Sequence, residues 1–261
     1  MEIFEVEKTK TGSKYLRPKV NMKEVSAFFT MRNTIVDASF LSEIGLANKT
    51  CVFLKQVHGG KIYKFMKRNK KEWEKASFQF VSKPYCEIKG IFAGAGDGII
   101  TDIDELLLTT IHADCLPIYF FDPIKGSVGL AHSGWKGTSL EISKKMVESM
   151  CEEGSKVKDL KVIIGPGISK CCFEVRDDVI NVFREKYGRE FLEKVSVKKD
   201  KEKYLLDLKA ICIKQLKDAG VLNIETSEFC TVCNLDMFYS YRAEGAIEER
   251  MIAGITINKK D

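Results

Sequence analysis

Histidine is scarce in this chain, with three in 261 residues, at positions 58, 112 and 132. Proline is sparse as well, at five residues, and aromatics reach 10%, so the composition is not that of a disordered segment. Long apolar runs are missing. The longest, residues 116–121, is far shorter than the roughly 20 residues a helix needs to cross a bilayer. The opening residues (MEIFEVEKTK) carry acids and no apolar stretch, so no secretion signal is expected there. No repeat and no Gly/Ser-rich or Pro-rich linker divides the chain, and residues 1–261 are expected to form a single domain. Charge of one sign is also lacking: 42 bases against 37 acids leave a net +5, a mixed surface with no nucleic-acid or membrane partner implied. The one basic concentration, residues 61–75, reads as a solvated face, and residues 61–83 as an insertion or long connection with Trp73 and Phe78 interleaved.

Cysteine, by contrast, is plentiful. Nine residues, an odd count without a secretion signal, argue for reduced thiols and a cytoplasmic protein rather than a disulfide framework. Most are expected to be small buried hydrophobes, with one or two left to do chemistry. Strand-like runs fall at residues 26–30, 51–57, 98–101, 106–111, 117–121, 127–131, 161–164 and 251–257. Helical spacing marks residues 142–150, capped by Thr138 or Ser139 and ended by Gly154, then 177–187 stopped by Gly188, and 207–219 closed by Gly220. Strands cluster with helices between them, which predicts a mixed α+β fold rather than a doubly wound sheet.

The scarce imidazoles lie in suggestive places. A strand delivers His58 into a glycine pair (Lys55-Gln56-Val57-His58-Gly59-Gly60), and another delivers His132 into a glycine-rich turn that opens a helix. The free N–H groups around Gly134–Gly137 would suit an anion. Cys115 stands between two apolar runs. Two chemistries fit these types: a metal held by imidazole and thiolate with an open fourth position, or a Cys115 nucleophile with His132 as its base. Their wide spacing does not choose between them. Cys230-Thr231-Val232-Cys233 lacks a second CxxC or His pair and reads as structural; Cys171-Cys172 reads as buried rather than reactive. No His-x-Glu occurs, so the zinc-deaminase signature is missing. Asp97 and Asp102 flank a strand as turn caps, while Arg242 and Arg250 would pair with Glu244, Glu248 or Glu249, or grip phosphate.

Together, KQVHG (55–59), DCLPI (114–118), AHSGWKG (131–137), IGPGISKCCFEV (164–175) and CTVCNLDMFYSYR (230–242) resemble, in order, the laccase-domain or YfiH-like family. The resemblance implies a four-layer αββα sandwich with two mixed sheets between helical layers. It implies a zinc-dependent purine nucleoside phosphorylase acting on adenosine, inosine and methylthioadenosine, with adenosine deaminase activity. It also implies that His58, Cys115 and His132 hold the zinc, copper being the other metal connected with the family. His112 falls where the family requires no His. Gln56, Asp97, Glu174, Lys136 and Arg242 are the candidate contacts to purine nucleoside and phosphate. The alternatives are a Cys115/His132 thiol hydrolase acting on amide or peptidoglycan-precursor substrates, and a copper-dependent polyphenol oxidase, for whose multicopper centres three His are too few. The chain departs from the family pattern at Asn33, Ala243 and Glu249, which bears on substrate preference and on the anion-binding rim.

Overall fold

A computed structural model describes residues 2–19, 24–69 and 78–258. Two large sheets carry it. One runs, edge to edge, Phe4–Lys8, Lys14–Pro18, Val25–Thr30, Met251–Ile257, Leu106–His112, Thr50–Lys55, Cys86–Ala95 and Val36–Asp37, with Phe78–Lys83 also paired to Cys86–Ala95. The other runs Asn223–Thr226, Lys161–Ile164, Leu116–Asp122, Ser127–Ser133, Gly98–Thr101 and Ile62–Phe65. Parallel and antiparallel pairs occur in both.

The layering follows from side-chain alternation along strands that are apolar on both faces. In Leu106–His112, Leu106 and Leu108 face the second sheet while Leu107 faces the helix Ala38–Glu43 with Phe40 and Leu41. Phe28 and Phe29 divide the same way. In Leu116–Asp122, Tyr119 and Phe121 enter the space between the sheets, whereas Ile118 and Phe120 pack on the helices Ile142–Glu152, Asp177–Tyr187 and Leu208–Asp218 through Met146, Met150, Phe183 and Ile211. Helix, sheet, sheet and helices therefore stack as four layers. A small sheet of Glu174–Arg176, Lys203–Leu206 and Ser196–Lys198 lies beside them.

Two readings of the sequence are corrected here. The stretch 61–83 is not a loose insertion in its described part, because Ile62–Phe65 pairs with Gly98–Thr101 and Phe78–Lys83 with Cys86–Ala95. Among its described bases, Lys64 and Arg68 pair with Glu152 and Glu153 at the C-terminal end of the neighbouring helix Ile142–Glu152. Residues 70–77, Trp73 among them, lie outside the described residues. Thr138 is not an N-cap. Its hydroxyl donates backward to the Gly134 carbonyl at 2.9 Å, inside the short helix Trp135–Ser139. Glu141, in left-handed backbone at φ 60°, then separates that helix from Ile142–Glu152.

Leu108 is fully buried between the sheets. Leu108→Ala is expected to lower the unfolding free energy by about 2–5 kcal/mol in urea titration. Ile124→Ala, at a side chain 76% exposed, should change it by no more than about 0.5 kcal/mol.

Candidate metal centre

The two sheets meet at one end, and the three marked residues come together there from different elements. His58 follows the strand Thr50–Lys55 of the first sheet, Cys115 sits in the crossing from Leu106–His112 to Leu116–Asp122, and His132 lies within Ser127–Ser133 of the second. Their ligand atoms all fall within 4.8 Å of one another. The His58 and His132 rings meet edge to face with centroids 4.8 Å apart.

Asp97 sets this geometry. It is fully buried in the turn where the chain passes from Cys86–Ala95 of one sheet to Gly98–Thr101 of the other. Its Oδ1 meets His132 Nδ1 at 2.9 Å and accepts the His58 N–H at 3.0 Å, while Oδ2 accepts the N–H groups of Gly59 at 2.6 Å and Val57 at 3.3 Å. With Nδ1 engaged, the other ring nitrogen of His132 is left for a metal, the usual carboxylate–histidine–metal arrangement. Asp97 thus acts on His132 and the His58 turn rather than on a substrate edge. Burial opposes its charge, but His132 and the amide donors outweigh it and lower its pKa.

The donor set suits a divalent ion. Burial alone would keep Cys115 protonated, yet the neighbouring His132 charge and the hydrogen bonds from His132 and His58 bring its pKa down. Reciprocally, burial would discharge His132, and the Cys115 thiolate and Asp97 raise its pKa instead. Gly134 makes room for the set: a Cβ there would stand 2.8 Å from Cys115 Sγ and 2.9 Å from His58 Nδ1. Backbone strain collects at the same place. His58 and Asp114, both non-glycine, hold φ of 56° and 87°.

His112 is buried beside the centre but fully occupied, its Nδ1 2.9 Å from the Cys115 carbonyl oxygen and its Nε2 2.8 Å from Thr110 Oγ1. Burial and the His132 charge hold its pKa well below the usual value. It orients the cysteine turn and adds no ligand.

A cavity of about 660 Å³ opens over the centre, within the range of small-molecule sites. Gln56, Lys136 and Arg242 line it, as do Arg250, Trp135, Phe173 and Tyr241. Gln56 spends its amide on the Ile111 backbone, donating to the carbonyl at 2.8 Å and accepting the N–H at 2.7 Å. Arg242 lies over the Phe173 ring at 5.5 Å and donates to the carbonyls of Glu174 at 2.9 Å and Cys172 at 3.4 Å. Arg250 donates to the Ile247 and Glu249 carbonyls. Among the described residues neither arginine forms an ion pair with Glu244, Glu248 or Glu249, one of the two roles the sequence left open, and Glu244 pairs instead with Arg32 at 2.7 Å. The Glu174 carboxylate points elsewhere: Lys199 and Lys203 hold it at 2.8 and 3.0 Å, hydrogen bonds that drop its pKa to about 2. Only its carbonyl reaches the site, through Arg242.

Asp114 was missed as a separate element of the site. Its carboxylate accepts the Thr231 hydroxyl at 2.6 Å and the Arg242 N–H at 2.7 Å, tying the cysteine turn to the loop that carries Arg242. The residue stood inside the DCLPI motif, but nothing in that motif announced a partner more than a hundred residues away. Asn33 occupies left-handed backbone at φ 65°, a conformation that Gly adopts freely and Asn tolerates.

A mixed α+β fold with a two-His, one-Cys centre at the seam of its sheets defines the class. The sequence model described as multi-copper polyphenol oxidoreductase laccase matches residues 35–258, and the chain belongs to that family. A purine nucleoside phosphorylase of Staphylococcus epidermidis is 40% identical over 161 residues, covering 61% of this chain and 59% of the relative. The purine nucleoside phosphorylase YlmD of Bacillus subtilis is 38% identical over 164 residues, covering 62% and 58%. The matched segment thus spans less than two thirds of these relatives. An adenosine deaminase from an unknown prokaryotic organism is 34% identical over 162 residues, covering 61% of each chain. Among solved structures, YlmD from Geobacillus stearothermophilus superposes with a TM-score of 0.78 at 29% identity, covering 99% of this chain and 100% of the other.

Asp97→Asn is expected to weaken metal binding about 10–100-fold in competition with a chelator, because a carboxylate that serves one imidazole and three amides is lost. Gly134 has an ordinary negative φ of −85°, so Gly134→Ala tests the space alone. It should lower bound metal sharply in elemental analysis while leaving the thermal midpoint little changed.

Proposed function

We propose that this protein is a zinc-dependent purine nucleoside phosphorylase acting on adenosine, inosine and methylthioadenosine, with adenosine deamination as a second activity. The observation that carries the reading is the convergence of His58, Cys115 and His132 within 4.8 Å on the wall of a cavity that also presents Lys136, Arg242 and Arg250. Relatives named for both activities support it. Three protein ligands with an open fourth position are the form of a catalytic zinc site, and zinc there would supply Lewis-acid polarisation of a substrate heteroatom.

The chain's own groups have distinct tasks. The aromatic faces of Phe173, Trp135 and Tyr241 offer apolar surface to a purine. Lys136 with Arg242 and Arg250 offers positive charge to phosphate, and the two guanidiniums are already oriented by main-chain carbonyls. In phosphorolysis a phosphate oxygen bonds to the ribose C1′ as the bond from C1′ to the base breaks. The bonding pair leaves with the base, which takes up a proton. Positive side chains beside the incoming phosphate favour that displacement by binding the nucleophile and holding it in line.

The pairing of Cys115 with His132 is what a thiol hydrolase would need, and it favours that second reading. The two-His, one-Cys set also suits copper, which keeps a phenol oxidase as the third. One experiment separates them. Purified protein is analysed for metals, then incubated with adenosine, with and without phosphate. Phosphate-dependent adenine and ribose 1-phosphate, lost in His58→Ala and Cys115→Ala together with the zinc, is the expected result. Full turnover by a metal-free variant would overturn the metal reading. Inactivation by iodoacetamide with indifference to chelators would establish the hydrolase.

A further inference from the structure

We propose that Cys171, Cys172, Cys230 and Cys233 form a second metal centre, a four-thiolate zinc site that clamps the chain after Lys161–Ile164 to the loop carrying Arg242. The sequence places these cysteines in two pairs some sixty positions apart, each too small to be a metal motif by itself. Folding brings their four sulfurs within 4.8 Å of one another.

Spacing, local structure and charge all fit an ion. Four sulfurs at tetrahedral corners, each at the usual zinc–sulfur length of about 2.3 Å, stand about 3.8 Å apart. Cys233 Sγ lies 3.5 Å from Cys171 Sγ and 3.4 Å from Cys172 Sγ. These separations are far longer than the roughly 2.05 Å of a disulfide, and all four cysteines are free. A turn in which the N–H groups of Cys172 and Phe173 both donate to the Ser169 carbonyl sets the adjacent pair side by side. On the other side, Asn234 Nδ2 donates to the Cys230 carbonyl at 2.8 Å and curls the C-x-x-C segment, while the Ser169 N–H donates to Cys230 Sγ at 3.4 Å. Amide-to-sulfur bonds of this kind are the usual support of a thiolate ligand. A four-thiolate zinc site carries net negative charge. The ammonium of Lys209, 8% exposed, lies close by, donating to the carbonyls of Ser227 and Phe229 just before Cys230.

The clamp reinforces contacts that are weak by themselves. Between the two segments the backbone makes an isolated bridge, Gly167 to Cys230, and a bond from the Thr231 N–H to the Gly167 carbonyl at 3.2 Å. Gly167 also lies close against the cysteine turn of the first centre, where a Cβ on it would meet the Asp114 carbonyl oxygen at 2.8 Å. A four-ligand site leaves no open position, and its role is structural. It fixes the loop from which Arg242 reaches the cavity.

The test uses the full chain, purified with reductant and exchanged into zinc before dialysis. Elemental analysis should give about two zinc ions per wild-type chain, one for each set of ligands. The variant C171S/C233S should lose one equivalent and keep the His58 centre, H58A/C115A should lose the other, and C151S should lose neither. The arms are independent. A wild-type content of a single equivalent that vanishes in C171S/C233S upholds this site even where the nucleoside-site reading fails. Zinc content unchanged in C171S/C233S overturns the proposal, as does iron in place of zinc or an intact mass short of two hydrogens in these peptides. Should the double variant fail to fold, cobalt-loaded wild-type protein carries the decision. The intense thiolate-to-cobalt absorption of a sulfur-only tetrahedral site supports the assignment, and a spectrum confined to the one-sulfur centre refutes it.

Discussion

The Asp97 carboxylate is the contact on which the candidate metal centre depends. It sits at the crossing between the sheets and accepts from four donors, one on His132 of the second sheet and three on the turn that follows a strand of the first. Through it the imidazole carried by one sheet and the turn that carries the other are held on a single carboxylate. A buried carboxylate is costly to desolvate, and removing a partner from such a network is far more disruptive than surface ion pairs suggest. That cost is acceptable because every lone pair is used, and because the charge on Asp97 supports the imidazole that faces the thiolate of Cys115.

The strained residues follow from the same requirement. The amides of Val57, His58 and Gly59 can converge on one carboxylate only if the chain turns sharply, and the left-handed conformation at His58 is that turn. Gly59 next to it is the residue expected for such a turn, yet the positive φ falls on the ligand itself. Asp114 is strained for a parallel reason. It must leave the strand Leu106–His112, present Cys115 to the centre and still send its carboxylate to Thr231 and Arg242. Strain at these two non-glycine residues of the candidate centre is tolerated because the surrounding hydrogen bonds over-determine the backbone.

The layers were legible from the sequence because periodicity reports burial directly. Runs such as 106–111 and 117–121 are apolar on both faces, which a strand between two packed layers demands, while Gly188 stops the helix 177–187 and Asp207 caps the helix Leu208–Asp218. The short helix Trp135–Ser139 was not, since its Thr138 hydroxyl is chemically equivalent as a cap or as a back-bond to residue 134. The pairing of Ile62–Phe65 was hidden by Lys64, which points outward to Glu152 on a helix far away in the sequence. For the site, residue type was enough to single out His58, Cys115 and His132, but roles were not. Asp97 and Glu174 are both carboxylates near motifs, and only long-range contacts distinguish the one that orients a ligand from the one neutralised by Lys199 and Lys203.

The cysteines illustrate the same limit from the other side. Each pair, read locally, lacks the partner that a metal motif needs, so a local reading makes both inert. The fold supplies the missing partner by running residues 164–174 alongside residues 230–242, and the interactions that do so also build the cavity wall. Arg242 donates to the Cys172 and Glu174 carbonyls, while its own N–H is held by Asp114 one residue from Cys115. The cysteine cluster, the arginine and the Cys115 turn are therefore links of one chain of contacts. A disturbance at the sulfurs would reach the cavity through a guanidinium whose position is set at both ends. The position of the arginine, more than its charge, is what the loop architecture controls, through the Asp114 carboxylate at its backbone and two carbonyls at its guanidinium.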